Sequence, residues 1–184
     1  MLASRGRAAT TVLFVAMLVA ASLPLAAGMP ARSKQRGERV AELRSRVERA
    51  GSARLAGETA RAESLYLEIV EGADGATVPP LLLARAVDGL ADLYRETGRW
   101  GEAETRYQQA AGLWEHLLGP QQPRLAVSLH NLASVRMARD DLRGAEAPLR
   151  RALAIFEGSF GADSNEARNS RRAYAELGRR LARE

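Results

Sequence analysis

Side-chain chemistry needs nucleophiles, acids, bases or metal ligands at workable spacing, and this sequence holds few. It has no cysteine. That excludes disulfides, zinc–thiolate sites, iron–sulfur clusters, thiol nucleophiles and the acylated cysteine of a lipoprotein. Its two histidines, His116 and His130, stand in no HExxH or paired-carboxylate context. A zinc site normally takes three or four ligands, so no metal is expected, and His116 reads as a surface or helix-end residue. The serines (Ser52, Ser64, Ser128, Ser134, Ser159, Ser164 and Ser170) sit in no nucleophile elbow. No phosphate loop or dinucleotide fingerprint is present, and no cofactor is expected. Glu102 with Glu104, and Asp140 with Asp141, have the spacing of acid–base pairs. Their place near helix starts assigns them instead to the positive end of a helix dipole. Trp100 and Trp114 are expected as packing residues. The chain is not expected to be an enzyme.

The elements that carry these residues are helical. Alanine, leucine, arginine and glutamate dominate, and aromatics make up only 5% of 184 residues. All four are good helix formers, which predicts an all-α protein. The formal charge is +5. Arg5 and Arg7 belong to a leader, and the remaining basic groups are mostly interleaved with acids, as on a solvated helix face. Only the stretch with Arg168, Arg171, Arg172, Arg179, Arg180 and Arg183 is locally basic. No nucleic-acid partner is expected from that pattern.

Arg5 and Arg7 precede an uncharged run, Ala8 to Ala31, whose most apolar part is VLFVAMLVAA from Val12 to Ala21. Pro24 follows, then Ala26, Ala27 and Gly28. A positive start, an apolar middle and a small-residue end make a secretory signal. Residues 1–28 are therefore expected to be a signal peptide cleaved after Gly28 or Ala27. The alternative is an uncleaved membrane anchor, since the run is long enough to cross a bilayer. Either way the remainder is expected outside the cytoplasm, periplasmic or secreted. Residues 29–37, MPARSKQRG, read as a polar linker.

Beyond the linker the chain repeats itself with an offset of 42. Leu90-Ala91 meets Leu132-Ala133, Ala103-Glu104 meets Ala145-Glu146, and Ala110 meets Ala152. Leu113 meets Ile155, Leu118 meets Phe160 and Gly119 meets Gly161. Each unit reads as two helices. In the first, Ala84, Val87, Leu90, Ala91 and Tyr94 recur at helical spacing, and Gly98 ends it. In the second, Ala103, Tyr107, Ala110, Leu113, Trp114 and Leu117 point inward, and Gly119-Pro120 ends it. Repeats are expected at 81–118 and 123–160, and a degenerate one at 38–71, where Gly57, Ala62, Glu63 and Tyr66 match at offset 41. Residues 165–182 are expected as a capping helix.

The strings LADLYRETGRWGEAETRYQQAAGLWEHLLGPQQPRLAVSLHNLA and LASVRMARDDLRGAEAPLRRALAIFEGSFGADSNEAR resemble tetratricopeptide repeats of the 42-residue, kinesin-light-chain-like kind. The resemblance implies an α-solenoid of antiparallel helix pairs and a scaffold that binds a peptide or partner helix in a concave groove. By the same resemblance the groove is lined by exposed positions of each first helix. Carried over, these are Arg85, Asp88, Asp92 and Arg95, then Val127, His130, Asn131, Ser134 and Met137. An asparagine at the place of Asn131 would hold a ligand's backbone, since an amide donates and accepts at once. It could equally bond a neighbouring helix. Gly89 and Ala173 stand at the equivalent positions, so the amide clamp is single. The function expected is protein–protein interaction outside the cytoplasm; the alternative is a membrane-anchored accessory subunit of an envelope complex.

Overall fold

The computed structural model describes residues 29–72 and 78–183. Among them every regular element is a helix: α1 (Met29–Leu55), α2 (Thr59–Val70), α3 (Pro80–Glu96), α4 (Trp100–Leu118), α5 (Pro123–Ala138), α6 (Leu142–Phe160) and α7 (Asn165–Leu181). None of these helices is long and apolar enough to cross a membrane. The leader, residues 1–28, lies outside the described residues.

Two compact units divide the chain at Glu42 and Leu43. In the first, the described residues are helical from Met29 onward. The linker expected at 29–37 is therefore a correction: MPARSKQRG belongs to α1. The physical reason is that alanine, arginine, lysine and glutamine favour helix even with no apolar stripe to bury; residues 33–39 are all exposed.

The second unit is a stack of helices in which each packs on the next from α2 through α7. Pro80 and Pro123 stand at the starts of α3 and α5, where a missing N–H costs nothing and a fixed φ helps. The turn within each pair has one design. Arg99 N–H reaches Tyr94 O at 2.8 Å and Gly98 N–H reaches Arg95 O at 3.2 Å, a Schellman closure. Asp141 and Asp140 repeat it on Arg136 O and Met137 O, at 2.9 and 3.2 Å. Glu58 and Gly57 repeat it on Ala53 O and Arg54 O, at 2.9 and 3.0 Å. The left-handed residue is Gly57, Gly98 or Asp140; aspartate is one of the few side chains that tolerates this conformation.

The core follows the small and large positions of the repeat. Ala84, Val87, Ala110, Trp114, Leu125, Ala126, Ala152 and Ile155 form one buried cluster, and Ala133, Leu142, Ala145, Leu149 and Leu177 another. Trp114 is 1% exposed, as expected, but Trp100 is 38% exposed and is not a core residue. Its place at the first position of α4 leaves one face of the indole without a neighbouring turn. Pro148 lies buried inside α6. Lacking an N–H, it leaves Gly144 O free, and Arg136 Nη1 donates to that carbonyl at 2.8 Å. Glu104 has a further task beyond the dipole: its carboxylate accepts from Arg136 Nε at 2.9 Å and from Arg139, tying α4 to the end of α5.

Candidate groove of the first helices

A pocket of about 430 Å³ opens on the second unit. Its walls come from the first helix of each pair: Val47, Gly51 and Leu55 of α1, Arg85, Asp88, Gly89 and Asp92 of α3, and Arg124, Val127 and Asn131 of α5. Tyr66 of α2 enters from behind. Gly89 makes that entry possible, because a Cβ there would lie 2.4 Å from Tyr66 Cζ. Leu55 is 80% and Val127 43% exposed, so these two apolar side chains of the wall face solvent, while Val47 is buried.

The floor is acidic but satisfied from within. Asp88 accepts from Trp114 Nε1 at 2.5 Å and from Ser128 Oγ at 2.7 Å, joining α3, α4 and α5. Burial pushes its carboxyl up to about 6, against the pull of these two donors. Asp92 accepts from Tyr107 Oη at 2.5 Å and from Asn131 Nδ2 at 3.4 Å. Burial and the Asp92 carboxylate hold the Tyr107 phenol well above its usual range. Arg54 closes the far side through Glu96, at 2.5 Å.

The rim carries two arginines, Arg85 and Arg124, and one acid, Glu48 of α1, which is exposed. Arg85 is exposed and makes no ion pair within 4 Å among the described residues. Arg124 lies over the Trp114 ring, 5.9 Å from its centroid, and likewise has no ion pair there. Arg85 and Arg124 thus flank the pocket while Asp88 and Asp92 below them are engaged.

Of the nine groove positions carried over from the resemblance, five line this pocket: Arg85, Asp88, Asp92, Val127 and Asn131. The other four are engaged elsewhere. Arg95 Nε donates to Tyr107 Oη at 3.1 Å. His130 Nδ1 lies 3.0 Å from Ser170 Oγ of α7, where burial first and Arg95 second depress its pKa. Ser134 Oγ donates to His130 O in its own helix, and Met137 packs on the Leu142–Leu149–Leu177 cluster. Sequence reasoning missed Arg124, Tyr66 and the α1 wall. Arg124 was findable, since it precedes Val127 and Asn131 by three and seven residues on one helix face. The α1 wall carries no signal beyond the degenerate repeat.

Residues 82–158 match the family model of the tetratricopeptide repeat. No curated protein matches the chain. Among solved structures it is similar to a protein of Podosopora anserina named as a kinesin light chain with nearly identical TPR-like repeats. The TM-score is 0.64 at 22% identity, over 74% of this chain and 65% of that one. It is also similar to BtubC (BKLC) from P. vanneervenii, with TM-score 0.61 at 22% identity, over 77% of this chain and 65% of that one. The chain thus spans about 65% of the length of these relatives. The fold is the all-helical solenoid of tetratricopeptide repeats, with the family match itself confined to residues 82–158.

Proposed function

We propose that the pocket framed by α1, α3 and α5 holds an extended segment of a partner protein, and that the chain is a binding scaffold with no reaction of its own. Tetratricopeptide repeats generally mediate protein–protein interaction. The observation that carries the finer reading is the contrast between rim and floor. Asp88 and Asp92 already accept from Trp114, Ser128, Tyr107 and Asn131, while Arg85 and Arg124 make no ion pair within 4 Å among the described residues. A segment bearing a carboxylate would pair with those guanidiniums. An apolar side chain beside it would cover Leu55 and Val127, which otherwise line the pocket exposed to solvent. A photo-cross-linker placed at Val127 should capture a discrete partner in the native host, and one at Gln108, exposed on α4, should not. Equal capture at both positions would move binding away from the pocket.

The scaffold is proposed to act outside the cytoplasm. Support comes from the leader pattern alone: Arg5 and Arg7, the apolar run Val12 to Ala21, Pro24, then Ala26, Ala27 and Gly28. Intact-mass spectrometry of protein from the native host should find a species starting near Met29. A species beginning at Met1 in the membrane pellet would favour the anchored accessory subunit.

A further inference from the structure

Helix α7 keeps one side of the repeat pattern and abandons the other. Forty-two residues after Leu125, Ser128 and Val135 of α5 come Ala167, Ser170 and Leu177, and all six are buried. On the other side, Ala126 and Leu129 are buried in a cluster with Ala152, Ile155 and Phe156 of α6, and Ala133 is buried with Ala145 and Leu149. The counterparts of those three are Arg168, Arg171 and Ala175, and all are exposed. A further helix packed as α6 packs on α5 would bury two arginines at positions built for alanine and leucine.

What this side presents is a line of positive charge. Arg168, Arg172 and Arg179 of α7, all exposed, fall within an arc of about 40° at 100° per residue and span about 16 Å; Arg183, also exposed, stands in the turn just after the helix. Ala175, also exposed, lies about 20° outside that arc on one side, and Glu176 about 40° outside it on the other. Arg171 turns aside to Glu157, at 2.5 Å, and Arg180 to Met137 O and Asp140, at 3.0 and 2.7 Å. Arg168 is braced by Asn165 Oδ1 and Arg179 by Glu176. Arg172 and Arg183 make no ion pair within 4 Å among the described residues. The imbalance is local: residues 165–183 carry six arginines against two glutamates, whereas residues 43–164 carry fifteen arginines against seventeen acids.

We propose that the Arg168–Arg172–Arg179 face of α7, with Arg183 in the turn after it, docks on a bilayer surface rich in anionic phospholipid. This helix face offers no aromatic platform for a base and no groove for a phosphate backbone to follow. A plane of headgroups meets all four charges at once. The apolar side of α7 is committed to the stack through Ala167 and Leu177, so docking is electrostatic and shallow, without insertion, and weakens with salt. Each guanidinium near such a surface contributes about fivefold in binding. The leader reading also brings the chain to a membrane, but neither proposal depends on the other.

The chain has no cysteine, so Ala175→Cys carries a single fluorophore in the full-length protein. Vesicles of phosphatidylcholine, with or without about a third phosphatidylglycerol, carry a headgroup quencher. Any affinity of residues 1–28 for lipid holds the chain to both kinds, and the probe reports α7 alone. The account expects quenching on anionic vesicles only, loss of it in high salt, and loss in R172E/R183E. A probe at Gln108 should stay unquenched throughout. R172Q/R183Q, which only removes charge, should weaken the effect about 25-fold, and circular dichroism of both variants should match wild type. Equal quenching on neutral vesicles, or indifference to both double variants, overturns the proposal. So does a DNA duplex that shifts the Ala175 probe when anionic vesicles do not, which would assign the stripe to nucleic acid.

Discussion

Gly89 lies directly against the ring of Tyr66: a Cβ added to it would meet Tyr66 Cζ and Oη, both at 2.4 Å. Tyr66 is 3% exposed, so its ring can shift only toward the pocket it lines. Gly89→Ala should therefore destabilise the protein by about 1–3 kcal/mol through overpacking. In a Tyr66→Ala background the obstacle is gone and only helix propensity remains, so the same change should stabilise by about 1 kcal/mol. A double-mutant cycle by chemical denaturation reads this reversal of sign. Additive effects would show that the ring yields.

Asp88 gives the stack an unusual pH dependence. Its folded pKa is raised from 3.8 to about 6, so the folded state binds the proton more tightly than the unfolded chain. Its contribution to stability is full below about pH 4 and is lost as pH rises through about 6. Asp88→Asn keeps the shape: Oδ1 can accept from Trp114, and Nδ2 can donate to Ser128 Oγ. The stability of wild type relative to Asp88→Asn should fall by on the order of 2 kcal/mol between pH 4 and pH 7. A flat difference across that range would mean that the carboxylate is better solvated than its burial implies.

Arg136 and Pro148 are coupled through a carbonyl that neither owns. Pro148 cannot donate to Gly144 O, and Arg136 does so instead at 2.8 Å. Arg136→Ala should cost roughly 1–3 kcal/mol, since a half-buried acceptor and the Glu104 carboxylate lose a charged donor together. With Pro148→Ala the helix recovers its own N–H for that carbonyl, and the cost of Arg136→Ala should shrink measurably. Identical costs in the two backgrounds would separate the two residues.

Much of this architecture was legible because it is periodic. The offset of 42 places Ala91 on Ala133 and Ala103 on Ala145, and all four are fully buried. The αL turn was legible where glycine marks it, at Gly98, but not at Asp140, where aspartate takes the same conformation. The linker reading failed at residues 29–37 because helix propensity without an apolar stripe leaves no periodic signal. The groove was half legible. Positions on the exposed face of a first helix can be counted, but which of them a neighbour engages depends on distances across the stack. His130 is taken by Ser170, forty residues on, and Asp88 by Trp114 and Ser128; no local pattern encodes those contacts.

Asn131 both lines the pocket and reaches Asp92 at 3.4 Å. That bond is long, and Asp92 keeps the shorter one from Tyr107 at 2.5 Å. Asn131→Ala should therefore lower the unfolding free energy by no more than about 1 kcal/mol, while weakening a bound segment whose backbone the amide would hold. Thermal melts beside binding isotherms for a captured peptide check both halves. A large drop in melting temperature would place the amide in the scaffold alone.

The central claim is that the open arginines of the rim select what the pocket holds. Peptides displayed as a random library should be selected on the full chain and their affinities then measured against Arg85→Glu/Arg124→Glu. Both side chains are exposed, so the variant should fold with unchanged helicity. The account predicts selected peptides rich in carboxylates beside an apolar residue, and a loss of about tenfold or more in affinity on charge reversal. Peptides without acidic bias, or bound equally by wild type and variant, would contradict it.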